Sequence, residues 1–179
     1  TEREGVRVDG WIEKELPAAV RYAASLIGDR TAAEDIVQEA IYRLLRRAGS
    51  YDLDRDGRKL LYRAVTNGCI NLTVRRREVL SLNNSSGQQE TAPQVVDPRA
   101  ASPADVVMAT ELNDAIHRGL QSLSMRDRCV LELASLGHEP RGIADIIGMK
   151  PAGIRVILHR ARKTMAAFLN AHFSERIVP

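Results

Sequence analysis

Apolar residues recur at three- and four-residue intervals over most of this chain, the period of helices that each bury one face. Trp11, Leu16, Val20, Ala23 and Ile27 mark the first such face. Pro17 lies inside that run, where it marks an early helix start or a kink. Ile36, Val37, Ala40, Ile41, Leu44 and Leu45 form the second stripe. Thr31 followed three residues later by Glu34 predicts a capping box at its start, and Gly49 predicts its end. A polar loop, SYDLDRDG, comes next. A third helix is predicted from about residue 58, through Leu61, Val65 and Ile70, to the cluster Arg75-Arg76-Arg77.

The pattern then breaks. Residues 79–110 include SLNNSSGQQETAPQVVDPRAASPAD, rich in small and polar residues, which buries too little apolar surface to offset its ordering entropy. Helical spacing resumes with Leu112, Ile116 and Leu120. Ser124 with Asp127 predicts an N-cap, followed by Val130, Leu131 and Leu133 and ended by Gly137. Pro140 suits a first helical turn, Ile143, Ala144, Ile146 and Ile147 follow, and Gly148 closes that helix. Gly148-Met149-Lys150 then leads into a long last helix, from 151 to about 173. Ile143, Ala144 and Ile147 are expected to pack against Ile154 and Leu158, which makes the pair a helix-turn-helix. The expected fold is therefore all-α: two small helical domains, residues 10–78 and 111–179, joined by a flexible linker, residues 79–110. A linker this polar predicts no fixed placement of one domain against the other unless a partner clamps them.

Composition agrees with helices. Apolar residues make up 44% of the chain but aromatics only 4%, so the cores are built from Leu, Ile, Val and Ala. Cys69 and Cys129 lie in apolar stretches without zinc spacing and read as buried thiols. No run of 18 apolar residues is present, and the charged N-terminal stretch TEREGVRVDG is not a secretory signal, so a cytoplasmic protein without membrane insertion is expected. His117, His138, His159 and His172 show no metal spacing, and neither a nucleophile elbow nor a phosphate-binding loop occurs. No catalytic residue, metal site or cofactor is expected. Asp52, Asp54 and Asp56 alternate, but the loop lacks the Gly and Glu a calcium loop needs.

Charge is more informative in its placement than in its sum of +3. Residues 150–163 carry Lys150, Arg155, Arg160, Arg162 and Lys163 and no acid, a helix suited to the major groove. Arg75-Arg76-Arg77 is either a second nucleic-acid contact or a helix-terminal charge run favoured by the macrodipole. Glu34, Asp35, Gln38 and Glu39 line the polar side of the second stripe, either as a solubilising surface or as a docking face for a basic partner.

Four stretches in this order resemble the extracytoplasmic function sigma factors. AAEDIVQEAIYRLLRR (32–47) looks like that family's polymerase-binding helix, and LLYRAVTNGCINLTVRRR (60–77) like its −10 helix. LQSLSMRDRCVLEL (120–133) and GIADIIGMKPAGIRVILHRARKTM (142–165) look like its −35 region. The resemblance implies a sigma factor that binds core RNA polymerase through Asp35, Gln38 and Glu39. It implies −10 contacts by Asn67, Asn71, Arg75, Arg76 and Arg77, and −35 contacts by Lys150, Arg155, His159, Arg160 and Lys163. The loop from Ser50 to Gly57 would capture a flipped-out base. Promoter DNA and an inhibitory anti-sigma factor are the further partners implied. The chain departs from the family pattern at Lys59, Asn71, Gly142, Gly153 and Ile157, and the apolar Ile157 is expected to weaken polar contacts on the reading helix. A standalone helix-turn-helix regulator, with a sensing or dimerising N-terminal domain, is the alternative.

Overall fold

The computed structural model describes residues 2–47, 50–83 and 103–174. Seven α-helices run in order through these residues: α1 (Glu2–Ile27), α2 (Arg30–Leu45), α3 (Arg58–Asn83), α4 (Pro103–Gln121), α5 (Met125–Ser135), α6 (Pro140–Ile147) and α7 (Pro151–Ser174). No strand occurs among the described residues, so the all-α expectation holds. Helix α3 runs through to Asn83 and α4 starts at Pro103, so both ends of the stretch read as linker are helical; its middle, and Gly49, lie outside the described residues.

The start of α2 is not the expected capping box. Asp29 is the N-cap: its Oδ1 accepts the Ala32 N–H at 3.0 Å. Thr31 sits inside the first turn, and Glu34 instead takes the Arg30 guanidinium at 2.9 Å. The second Asp29 oxygen receives Arg76 from α3 at 2.7 Å. The Ala32 N–H and the Arg76 guanidinium together hold the Asp29 carboxyl below its ordinary value. Three other sequence signals stand where they were expected. Ser124 caps α5 by accepting the Asp127 N–H at 3.2 Å, Pro140 opens α6, and Gly148 closes it with φ +75°. The polar loop after α2 is partly helical: Leu53–Gly57 forms a π-helical turn that feeds directly into α3. Asp52 caps that turn by accepting the Arg55 N–H at 3.2 Å.

Helices α1, α2 and α3 enclose Ala19, Tyr22, Leu26, Val37, Leu61 and Val65. Tyr22 bonds Thr66 Oγ1 at 2.7 Å. Thr66 donates its own proton to the Tyr62 carbonyl at 2.6 Å, so the Tyr22 phenol is the donor to Thr66. Gly68 brings α2 close to α3: a Cβ there would lie 2.7 Å from Ile36 Cγ2.

The two helix groups are not separate in space. Their apolar residues form one core that continues from Tyr62 and Cys69 to Cys129, Leu133, Ile143 and Ile146. This departs from the expectation of variable placement, and the reason is polar as well as apolar. Arg128, only 8% exposed, donates Nη1 to the Leu26 carbonyl and Nε to the Leu120 carbonyl, each at 2.8 Å. These carbonyls belong to the last turns of α1 and α4, where the regular helical bonds run out; the Leu120 carbonyl also accepts the Leu123 N–H at 3.1 Å. Arg58 donates to the Leu136 carbonyl at 3.0 Å, and Lys59 pairs with Asp145 at 3.5 Å. Tyr62 meets the His138 ring edge-on, with centroids 4.9 Å apart. Burial, and then the nearby Arg58, push the His138 imidazole down to about 4.

Two outcomes are expected. Gly68→Ala should destabilise the fold by about 1–3 kcal/mol in urea unfolding, because the Ile36 methyl group at the contact is held close to its backbone. Adding Ile36→Ala should recover part of that loss in a double-mutant cycle. His138 favours its neutral form when packed, so stability should fall as pH drops from about 6.5, the ordinary histidine value, towards about 4. Thermal unfolding across that window should show a steeper decline for the wild type than for His138→Phe.

Candidate nucleic-acid and partner interfaces

The chain presents two candidate surfaces. The first is a groove between α2 and α3. Asp35, Glu39 and Arg43 stand along its α2 wall, Asn67, Asn71 and Arg75 along its α3 wall, and Ile36, Ala40, Ala64, Gly68 and Leu72 form its floor. The groove follows from spacing: Asp35 and Glu39 are one turn apart, as are Asn67 and Asn71, on the faces opposite the buried stripes. Gly68 lies between the asparagines and lets the α2 wall approach. Sequence reasoning treated the acidic residues and the asparagines as separate surfaces, and the structure brings them onto one. Gln38 is exposed on α2 but does not line the groove. Glu39 is tied to Arg43 at 2.5 Å, which fixes the direction of its carboxylate.

The arginine cluster on α3 divides. Arg76 is turned to Asp29, whereas Arg75 lines the groove and Arg77 is exposed. Because α3 continues to Asn83, the cluster is not at the helix end, and the macrodipole does not explain it.

Sequence reasoning missed a second basic group, at the end of α2. Arg43, Arg46 and Arg47 line a recess together with Tyr51, Leu44 and Ala64, and Arg46 lies over the Tyr42 ring at 5.8 Å. Their spacing of three and four residues was the signal that they share a face.

The second surface is the exposed side of α7. Helix α6 holds α7 through Ile143, Ala144 and Ile146, packed with Ile154, Ile157 and Leu158. Left-handed Gly148 makes the tight turn, with the Gly148 and Met149 N–H groups both donating to the Ala144 carbonyl. Lys150, Arg155, His159 and Lys163 are exposed. Arg160 has a structural partner: it binds the Asp127 carboxylate at 2.6 Å, and that carboxylate's side chain is only 10% exposed. Ile157 corrects the sequence reading. It is 6% exposed and belongs to the core, so it takes nothing from the reading face; the exposed apolar residue is its neighbour Val156. A Cβ at Gly153 would meet only Met149 Cε, at 3.4 Å.

Among the described residues, no group of three or more His, Cys, Asp or Glu side chains is arranged to hold a metal, and no helix is long and apolar enough to cross a membrane.

Residues 11–79, which contain the groove, match the family model for sigma-70 region 2. The chain is 25% identical over 143 residues to the ECF RNA polymerase sigma factor SigW of Bacillus subtilis, covering 78% of this chain and 76% of SigW. It is 26% identical over 169 residues to the ECF RNA polymerase sigma factor SigE of Mycolicibacterium smegmatis, covering 93% of this chain and 63% of SigE. In fold it is similar to the sigma factor RpoE of Bartonella quintana, solved in complex with the anti-sigma factor NepR: TM-score 0.72 and 19% identity, over 89% of this chain and 94% of that one. It is also similar to CnrH in complex with the cytosolic domain of CnrY: TM-score 0.62 and 18% identity, over 92% of this chain and 88% of that one. Residues 11–79 thus carry a sigma-70 region 2, and along both helix groups the chain is similar in sequence and in fold to extracytoplasmic function sigma factors.

Proposed function

We propose that this chain directs RNA polymerase to promoters through two helical modules and catalyses no reaction itself. Residues 10–78 dock core polymerase through Asp35, Gln38 and Glu39 and read the −10 element through Asn67, Asn71, Arg75 and Arg77. Residues 111–179 grip the −35 element through α7, with Lys150, Arg155, His159 and Lys163 in contact with DNA and Arg160 holding the helix to Asp127. Residues 79–110 join the two modules. The observation that carries this reading is the α2–α3 groove, which sets an acidic wall beside an amide-rich one within the stretch matching sigma-70 region 2. The acidic wall suits a basic helix of a protein partner. The asparagine wall suits base edges, where amides donate and accept.

Each module alone makes few contacts, so specificity depends on both acting at once while mounted on polymerase. A cytoplasmic location follows from that role. An anti-sigma partner is part of the proposal, supported by the similar sigma factor RpoE, solved in complex with the anti-sigma factor NepR. It would hold the modules in a packed arrangement.

Gel filtration of the chain with bacterial core RNA polymerase tests the docking claim. The wild type should co-elute stoichiometrically, and Asp35→Lys with Glu39→Lys should weaken binding at least about tenfold, as expected for reversing two interface charges. A wild type that ignores core polymerase but shifts DNA by itself would overturn the proposal in favour of a standalone regulator.

A further inference from the structure

Val156 is a large apolar side chain that stands 66% exposed. It has no packing role to explain it, and a β-branched residue is a poorer surface helix former than the Lys, Arg or Glu that usually fill such places. Its position is specific. Ile154, Ile157, Leu158 and Ala161 define the buried side of α7. At 100° per residue, the opposite pole carries Ala152, Val156, His159 and Lys163, with Arg155 at its edge. Val156 is therefore an apolar spot in the middle of a basic face, in the second turn of the helix.

Charge complementarity decides the occupant. No acidic residue occurs between Lys150 and Lys163, so the partner of this face is a polyanion. Among the groups a DNA duplex presents in its major groove, the thymine 5-methyl is the one that offers apolar contact. The early turns of a recognition helix are the ones that reach base edges. With Arg160 held by Asp127, the side chains left at that depth are Arg155, Val156 and His159. We infer that Val156 reads a thymine in the upstream promoter element through its 5-methyl group. This deepens the promoter reading above and rests on it.

The test uses the chain assembled with core polymerase. A promoter is first selected from templates with a randomised upstream element, scored by chain-dependent transcription. Each thymine of the selected element is then replaced in turn by deoxyuridine, which removes only the methyl group. One position should lose about fourfold in promoter binding, the effect of one buried methyl. Val156→Ala should bind the thymine promoter more weakly and be indifferent to deoxyuridine at that position. Circular dichroism should show this surface variant folded.

A wild type indifferent to deoxyuridine everywhere, or a Val156→Ala that keeps the same penalty, would overturn the inference while leaving the promoter reading intact. A Val156→Ala that leaves the DNA profile unchanged but loses binding to an acidic protein would do so too. Failure to select any promoter would overturn the promoter reading and this inference together.

Discussion

The close approach of α2 and α3 at Gly68 is the contact on which the proposed docking and −10 surfaces depend. With no side chain at Gly68, Ile36 seats against the α3 backbone, and the acidic wall of α2 comes to stand beside Asn67 and Asn71. A bulkier residue would push the walls apart and separate two sets of groups whose value is that they share one surface. The Asp29–Arg76 pair closes the same two helices at the other end. Being half-exposed, that pair contributes direction more than energy.

A second constraint sets the relation of the two helix groups. Arg128 has five N–H donors and is buried where α1 and α4 both end. Its bond to the Leu26 carbonyl serves a group that a helix terminus leaves open, and its bond to the Leu120 carbonyl adds to the one from the Leu123 N–H. Removing it would take that donor from the buried Leu26 carbonyl, a larger cost than the net worth of the bond itself, while the Leu120 carbonyl would keep the Leu123 N–H. The contact around Tyr62 and His138 has a different character. The Tyr62 hydroxyl and His138 Nε2 are both buried without a hydrogen-bond partner, so this part of the interface is less favourable than its burial suggests. One side of the junction is thus tightly satisfied, and the other is held by ring contact and by Arg58 and Lys59 at its rim.

The helices were legible because their information is local. Apolar spacing, Ser124, Pro140 and Gly148 act within one turn of where they stand, and the helix-turn-helix followed from them. Ile157 was legible too: with Ile154, Leu158 and Ala161 it completes one helical face, which its spacing alone assigns to the core. The start of α2 was not legible. Thr31 and Glu34 fit a capping box, yet Asp29 wins because Arg76, 47 residues away, engages its other oxygen. The packing of the two groups escaped for the same reason. Leu26 and Arg128 are 102 residues apart, and no local pattern announces that an arginine will serve a distant carbonyl. The groove was half legible: each wall could be read from periodicity, but their meeting is a tertiary fact.

The central claim is that this chain gives polymerase a choice of promoters it does not otherwise have. Mapping transcript starts from a pooled genomic template, with core polymerase alone and with the chain added, measures this directly. The account predicts new discrete starts that appear only with the chain and share two upstream sequence elements at fixed spacing. Starts that are unchanged by the chain, or DNA bound specifically by the chain in the absence of polymerase, would contradict it.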